Sequence, residues 1–265
     1  MEYKLLVLDL DDTILGDDLK ISDKNIEAIT MAEEKGLHVV LCSGRTMDSM
    51  MPYIKAIGIH SDDDYIVSYN GAKINTIGGE EVYCKPIEGS ILKDLILIGR
   101  RYDIDVQLYT DELLVERFSD RNKLYEKLTG IAAVVINDLT TIQQSTKVLF
   151  NHEAGPNLEK LRLELIENYG DIFNIFYSKP FYVEVLDKSV SKGLAIEYLA
   201  NKMNIDREAI IAVGDGFNDL SMIEYAGLGI AVSNAPDGVK EGADYVTMSS
   251  NNESVVWEVV NKYIV

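Results

Sequence analysis

Lys4-Leu5-Leu6-Val7-Leu8-Asp9-Leu10-Asp11-Asp12-Thr13 is a short apolar run that ends abruptly in acids. A strand that is apolar at odd and even positions alike is buried on both faces, the habit of a parallel sheet covered by helices. The run predicts a buried parallel strand over residues 4–8. Asp9 and Asp11 then fall at its carboxyl end, where open α/β sheets place their ligands. In an extended chain, residues two apart point the same way, so Asp9 and Asp11 are expected to face one site. Two carboxylates meeting there repel unless a cation or a shared proton compensates. Asp12, Asp17 and Asp18 read instead as a solvated acidic turn.

The same grammar continues outward. A helical stretch over 23–35 is closed by Gly36 and followed by a strand over 37–42. A third strand, 65–68, runs into Asn70-Gly71, a turn signal. Much later come a helix at 192–203, a strand at 209–213, a helix at 219–226 and a strand at 228–232. This alternation predicts an α/β core of Rossmann type, a doubly wound parallel sheet with helices on both faces. The middle has another texture. Alternating strand patterns at 106–109, 113–118, 147–151, 172–177 and 181–186 mix with helical patterns at 90–101, 121–128 and 157–169. An open antiparallel sheet with helices on one side is expected there. The simplest organisation is a discontinuous core, 1–82 with 188–265, and an inserted α+β domain over 83–187. Crossings near 83–86 and 186–188 are the expected hinges.

Composition narrows the function. The chain has 265 residues, 47% hydrophobic and 26% charged, enough apolar material for a true core. The net charge of −19 argues against a nucleic-acid backbone or an anionic membrane, both of which select Lys and Arg. Only Cys42 and Cys84 occur, too few for a disulfide framework or a zinc set, so a reducing cytoplasm is expected. No secretory signal is expected at the N-terminus, and no apolar run reaches the roughly 18 residues of a membrane span.

Three further junctions carry polar residues. Val39-Val40-Leu41-Cys42-Ser43-Gly44-Arg45 is a strand ending in a small hydroxyl residue and a glycine. Ser43 can donate to an anion there, beside the backbone N–H groups that follow; taken alone, a serine at such a junction is more often an N-cap. Ser191-Lys192-Gly193 opens a helix, where Lys192 is either solvated or balances a phosphate. Val213-Gly214-Asp215-Gly216-Phe217-Asn218-Asp219 sets an acid between two glycines directly after a strand. Oxygen ligands this closely spaced suit a hard cation such as Mg2+. The glycines allow the tight turn that aims Asp215 back at the strand ends.

Together these pieces resemble the haloacid dehalogenase (HAD) superfamily of phosphohydrolases. Asp9-x-Asp11-x-Thr13, Ser43, Lys192 and Gly214-Asp215-Gly216-x-Asn218-Asp219 occur in that family's order. Asp9, Ser43, Lys192 and Asp215 lie 34, 149 and 23 residues apart in succession, normal spacings for it. The long gap holds the inserted domain, which resembles the type IIB cap of the Cof-type branch, as does Asn70-Gly71-Ala72. The resemblance spans nearly the whole chain. It implies a Mg2+-dependent phosphatase acting on sugar phosphates or similar small phosphomonoesters through an aspartyl-phosphate.

By the same resemblance, Asp9 is the nucleophile and Asp11 the general acid and base. Mg2+ is held by the side chains of Asp9 and Asp215 and the backbone carbonyl of Asp11, with Asp219 or Asn218 ordering its shell. Lys192, Ser43, Asn218 and the backbone N–H groups of Leu10 and Gly44 hold the substrate and its phosphoryl group. A phosphomannomutase branch shares this cap class, so a phosphomutase is the rival reading, and a non-catalytic phosphometabolite binder is another. A mutase needs clustered Arg and Lys in the cap, and residues 84–186 carry 12 basic and 16 acidic side chains. Arg117, Arg121 and Lys147 are the candidates, with surface salt bridges as the simpler reading. The sequence does not specify an oligomeric state.

Overall fold

The computed structural model describes residues 2–59, 61–110, 112–129 and 131–265. It divides into two compact units, Met1–Tyr83 with Ser191–Val265, and Cys84–Val190.

The first unit opens with β1 (Leu5–Leu8), α1 (Asp23–Glu34), β2 (His38–Cys42), α2 (Met47–Ile57), β3 (Tyr65–Ser68), β4 (Lys73–Thr76) and β5 (Glu81–Cys84). Residues of β1 alternate between two apolar clusters: Leu6 and Leu8 join one, Leu5 and Val7 the other. That is why the run is apolar without a break. α1 starts where the Ser22 side chain accepts from Asn25 N–H, and α2 where Thr46 accepts from Ser49 N–H. Each cap satisfies one of the orphan donors of a helix start.

The second unit contributes β6 (Ile87–Glu88), α3 (Gly89–Arg101), β7 (Asp105–Tyr109), β8 (Leu113–Val115), α4 (Asp120–Thr129), β9 (Ala133–Val135), β10 (Gln144–Ser145), β11 (Val148–Asn151), α5 (Pro156–Tyr169), β12 (Phe173–Lys179) and β13 (Tyr182–Asp187). The chain then returns to the first unit with α6 (Lys192–Met203), β14 (Ile210–Gly214), α7 (Leu220–Tyr225), β15 (Leu228–Ala231), α8 (Asp237–Lys240), β16 (Tyr245–Val246) and α9 (Val255–Tyr263).

The large sheet runs β16-β15-β14-β1-β2-β3-β4-β5. From β1 the chain steps one way through β2 and β3, and later the other way through β14, β15 and β16. All these neighbours are parallel. β1 therefore lies at the topological switch point, beside which such sheets open a crevice at their carboxyl edge. The sheet is not parallel throughout, as the sequence led us to expect. β4 turns back against β3 in antiparallel register. The Tyr69–Gly71 turn leaves only a tight connection between them, too short for a crossover helix.

The six-stranded sheet of the second unit runs β12-β13-β11-β7-β8-β9 and packs α3 and α5 against Val106, Leu108, Val148, Phe150, Val183 and Val185. It departs from expectation in three ways. β8 and β9 pair in parallel. Helices do not keep to one side. Tyr109 and Tyr182 alternate onto the other face, and there Tyr125 of α4 meets both rings edge-on at 6.3 and 5.7 Å. Lys147 makes no surface bridge: it is buried on that face, with Nζ 3.1 Å from Glu184 Oε2 and 4.5 Å from the Tyr109 ring centroid. Arg117 and Arg121 both bridge to Asp105, whose carboxylate is buried, so these are not purely surface pairs either. Among the described residues no helix is long and apolar enough to cross a membrane.

Candidate active site

Asp9 is the first residue past β1, and its N–H continues the ladder by donating to Val213 O at 3.0 Å. The chain then coils into a wide turn over Leu10–Ile14, pinned by the fully buried side chains of Leu10 and Ile14. This turn breaks the two-residue period of an extended chain. Asp9 and Asp11 consequently diverge, against the expectation that they share a direction. The Asp9 side chain is buried, whereas Asp11 binds Arg45 through two parallel hydrogen bonds, Nε to Oδ2 at 2.8 Å and Nη2 to Oδ1 at 2.6 Å. Arg45 also lies 5.3 Å from the Tyr53 ring centroid. A forked guanidinium on a carboxylate is the strongest common side-chain pairing.

Lys192 enters from the first turn of α6, which is capped by the Ser191 side chain accepting from Leu194 N–H. It is fully buried. Its ammonium donates to Asp9 Oδ1 at 2.5 Å and to Asp219 Oδ1. Asp219 is fixed at its other oxygen by the N–H groups of Asp215 and Gly216, at 3.0 and 2.8 Å. Gly214 permits this: a Cβ there would stand 2.5 Å from the Asp219 Cβ. Thr13, from the turn after β1, donates to Asp215 Oδ1 at 2.7 Å.

Asp9, Asp215 and Asp219 each offer a carboxylate oxygen within 4.8 Å of the others. Burial is the main force raising the Asp9 carboxyl well above its ordinary range, and Asp219 adds to it. Asp215 is pushed up to about 6, again by burial first, with Asp219 and Asp12 adding to it against the Thr13 hydrogen bond. Burial pulls the Lys192 ammonium down, but Asp219 and Asp9 outweigh it and keep it charged. Three carboxylates against one ammonium leave uncompensated negative charge. Hard oxygen donors with that excess suit a divalent cation of the Mg2+ class, so the residues present fit the ion.

Ser43 is buried at the end of β2, its Oγ accepting from Arg45 N–H at 3.2 Å. It is not the cap of α2; Thr46 is. Gly44 follows Ser43. Asn218 is exposed, and its Nδ2 donates to Asn70 Oδ1 at 3.1 Å. The Cys42 thiol, beneath Lys192, is pushed up to about 12 chiefly by burial, which leaves it inert.

The structure thus gathers Asp9, Lys192, Asp215 and Asp219 into one cluster and sets Ser43 and Gly44 at the neighbouring strand end. It does not bring the Asp11 carboxylate into that cluster. The sequence reading gave no role to Arg45, Thr13 or Asn70. For Arg45 a signal was present: a lone arginine directly after Ser-Gly at a strand end.

Comparison with known proteins places this geometry. A family model described as haloacid dehalogenase-like hydrolase matches residues 6–259. A Bacillus subtilis protein named 5-amino-6-(5-phospho-D-ribitylamino)uracil phosphatase YcsE is 29% identical, over 100% of this chain and 97% of its own. The Bacillus subtilis phosphatase YwpJ is 25% identical over 95% and 97%. Among solved structures, a haloacid dehalogenase-like hydrolase from Bacteroides thetaiotaomicron superposes with a TM-score of 0.90 at 32% identity, covering 98% of this chain and 99% of that one. A Thermotoga maritima protein superposes at 0.91, also with 32% identity, covering 99% and 98%.

Proposed function

Because the chain belongs to the haloacid dehalogenase-like hydrolases, as a phosphatase of the Cof type, we propose that it hydrolyses small phosphomonoesters with the help of Mg2+. The observation that carries this reading is the cluster of Asp9, Asp215 and Asp219, with the buried Lys192 bonded to the first and last, at the crevice of the switch point. Sugar phosphates and related polyol phosphates are the proposed substrate class; the ribityl phosphate in the name of one relative has that chemistry. A reducing cytoplasm is the proposed setting, in keeping with Cys42 and Cys84 both lying outside any disulfide.

In this reading Asp9 is the nucleophile. Lys192 holds its Oδ1, which leaves the second oxygen to form a bond to phosphorus as the bond to the leaving alkoxide breaks. Asp11 gives the alkoxide its proton, then takes one from water as water displaces Asp9 from phosphorus. Arg45 grips Asp11 through two hydrogen bonds, so the pair must open before Asp11 reaches the leaving group. Lys192, the Ser43 hydroxyl and the backbone N–H groups of Leu10 and Gly44 bind the phosphoryl oxygens, the charge stabilisation on which phosphoryl transfer chiefly depends. Asp9, Asp215 and Asp219, with the Asp11 carbonyl, would hold Mg2+, which when bound cancels carboxylate and phosphate charge. We read the second unit as the cap that selects the leaving group. Arg117 and Arg121 are already paired with Asp105, which favours a hydrolase over a mutase needing a second phosphate clamp.

The test is phosphate release from a panel of phosphorylated metabolites and p-nitrophenyl phosphate, with and without Mg2+. Turnover that needs Mg2+ is expected. Full turnover after exhaustive chelation, or none on any member, overturns the reading.

A further inference from the structure

The Asn70-Gly71 pair, conspicuous in the sequence, has no part in the mechanism above. Its backbone is unusual. Tyr69, Asn70 and Gly71 have φ of +53°, +57° and +99°, three successive residues in the left-handed region. A bulky aromatic residue there is a true outlier, and such strain persists only where neighbouring structure over-determines it.

The neighbours in this case are the phosphoryl site itself. Tyr69 N–H donates to Arg45 O and Asn70 N–H to Ser43 O, both at 3.0 Å. On the other side a Cβ on Gly71 would stand 2.3 Å from Ser191 O, the residue before Lys192. The turn is therefore wedged between the Ser43–Arg45 bend and the start of α6. It carries the Asn70 carboxamide onto Gly44: a Cβ on Gly44 would lie 3.1 Å from both Asn70 Nδ2 and Oδ1. Asn218, from the turn after β14, donates to Asn70 Oδ1. In this arrangement the acceptor end of the amide is the engaged one. Asn70 Nδ2 is left without a hydrogen-bond partner among the described residues, beside Ser43 and Gly44.

Resting on the phosphatase reading, we propose that Asn70 is a substrate-binding residue. Its Nδ2 donates to an oxygen of the phosphoryl group held at Ser43 and Gly44, and Asn218 positions it. Here the acceptor is engaged within the protein and the donor is kept for a ligand. As a neutral donor, it adds a hydrogen bond to the anion without a further charge beside Lys192.

Asn70→Gly tests this, because glycine adopts the left-handed backbone at no steric cost and removes only the amide. Inorganic phosphate, with Mg2+ present, is the probe. The expected result is phosphate affinity weakened about tenfold or more, with KM for p-nitrophenyl phosphate rising in step. Mg2+ affinity and melting temperature should stay unchanged. A bracing role would move all four together, and that outcome overturns the proposal. Asn218→Ala should weaken phosphate less, and add little when combined with Asn70→Gly.

A direct readout comes from the side-chain amide resonance of Asn70 in the wild-type protein, assigned by its loss in Asn70→Gly. It should shift on titration with phosphate. A silent Asn70 amide, while other resonances report saturation, sinks this proposal alone. Absence of both phosphate binding and turnover in the wild type sinks the phosphatase reading, and this proposal with it.

Discussion

Asp11 lies two residues beyond Asp9 and behaves differently. One carboxylate is buried against Lys192, the other is half-exposed and forked onto Arg45. The two should fail differently. Asp9→Asn is expected to abolish turnover and any phosphoenzyme. Asp11→Asn should still form the phosphoenzyme from substrates with good leaving groups but hydrolyse it slowly, by the 10²–10⁴-fold that general acid–base catalysis typically contributes. Mass spectrometry of the rapidly quenched proteins decides: a phosphate adduct on Asp9→Asn would refute the assignment. Asp215 gives a second prediction. Its carboxyl is raised to about 6, so the metal-free fold holds a proton there that the unfolded chain releases near pH 4. The associated stability is present below the unfolded value and is lost as pH rises through about 6. Mg2+ competes with that proton. The rise in melting temperature on adding Mg2+ should therefore be clearly larger at pH 7.5 than at pH 5, and an equal rise at both would contradict it.

At the scale of elements, strands buried on both faces were the most legible. Leu5–Leu8 and Tyr65–Ser68 could be read directly, because residues that alternate between two cores must all be apolar. The carboxyl ends of β1, β2 and β14 located Asp9, Ser43 and Asp215 for the same reason. What periodicity could not convey was a polar residue buried by something distant in sequence. Lys147 directly precedes β11 and looks solvent-facing in the sequence, yet it is buried against Glu184 and the Tyr109 ring. The direction of Asp11 was hidden likewise, since it depends on a turn anchored by Leu10 and Ile14 and on an arginine 34 residues on. Burial tends to lower the Lys147 ammonium, but Glu184 and Tyr125 outweigh it and keep it charged. Lys147→Met should therefore strand the Glu184 carboxylate and destabilise the second unit by about 3–5 kcal/mol. Adding Glu184→Leu should recover most of that loss, because an apolar pair of similar volume replaces the ion pair at little cost. Hydrogen exchange at the amides of β11 and β13 measures both. A double variant as unstable as the single one would show that the pair's hydrogen bonds, and not its stranded charge, set the effect.

At the scale of the molecule, the residues proposed for catalysis all belong to the first unit, whose sheet is covered by its own apolar clusters. The second unit has a separate core. Chemistry and selectivity are then divisible in principle, as expected where function lives in a site carried by a fold. The excised segment would be Cys84–Val190, with Tyr83 joined to Ser191 through a short flexible linker. Lys192 should remain buried after the excision, because Asp9 and Asp219, which hold it, lie in the retained unit. An aryl phosphate has a leaving group that needs neither a proton nor a fitted pocket. A sugar phosphate needs both, together with exclusion of water, which closing elements commonly supply. The deletion variant, once shown to be folded and to bind Mg2+, should therefore keep much of its kcat/KM for p-nitrophenyl phosphate. It should lose at least tenfold more for a sugar phosphate, a differential of about 1.4 kcal/mol in transition-state stabilisation. An unchanged ratio between the two substrates would mean that the second unit does not choose the leaving group. Selectivity would then have to arise at the strand ends themselves, from Arg45, Asn70 and Asn218.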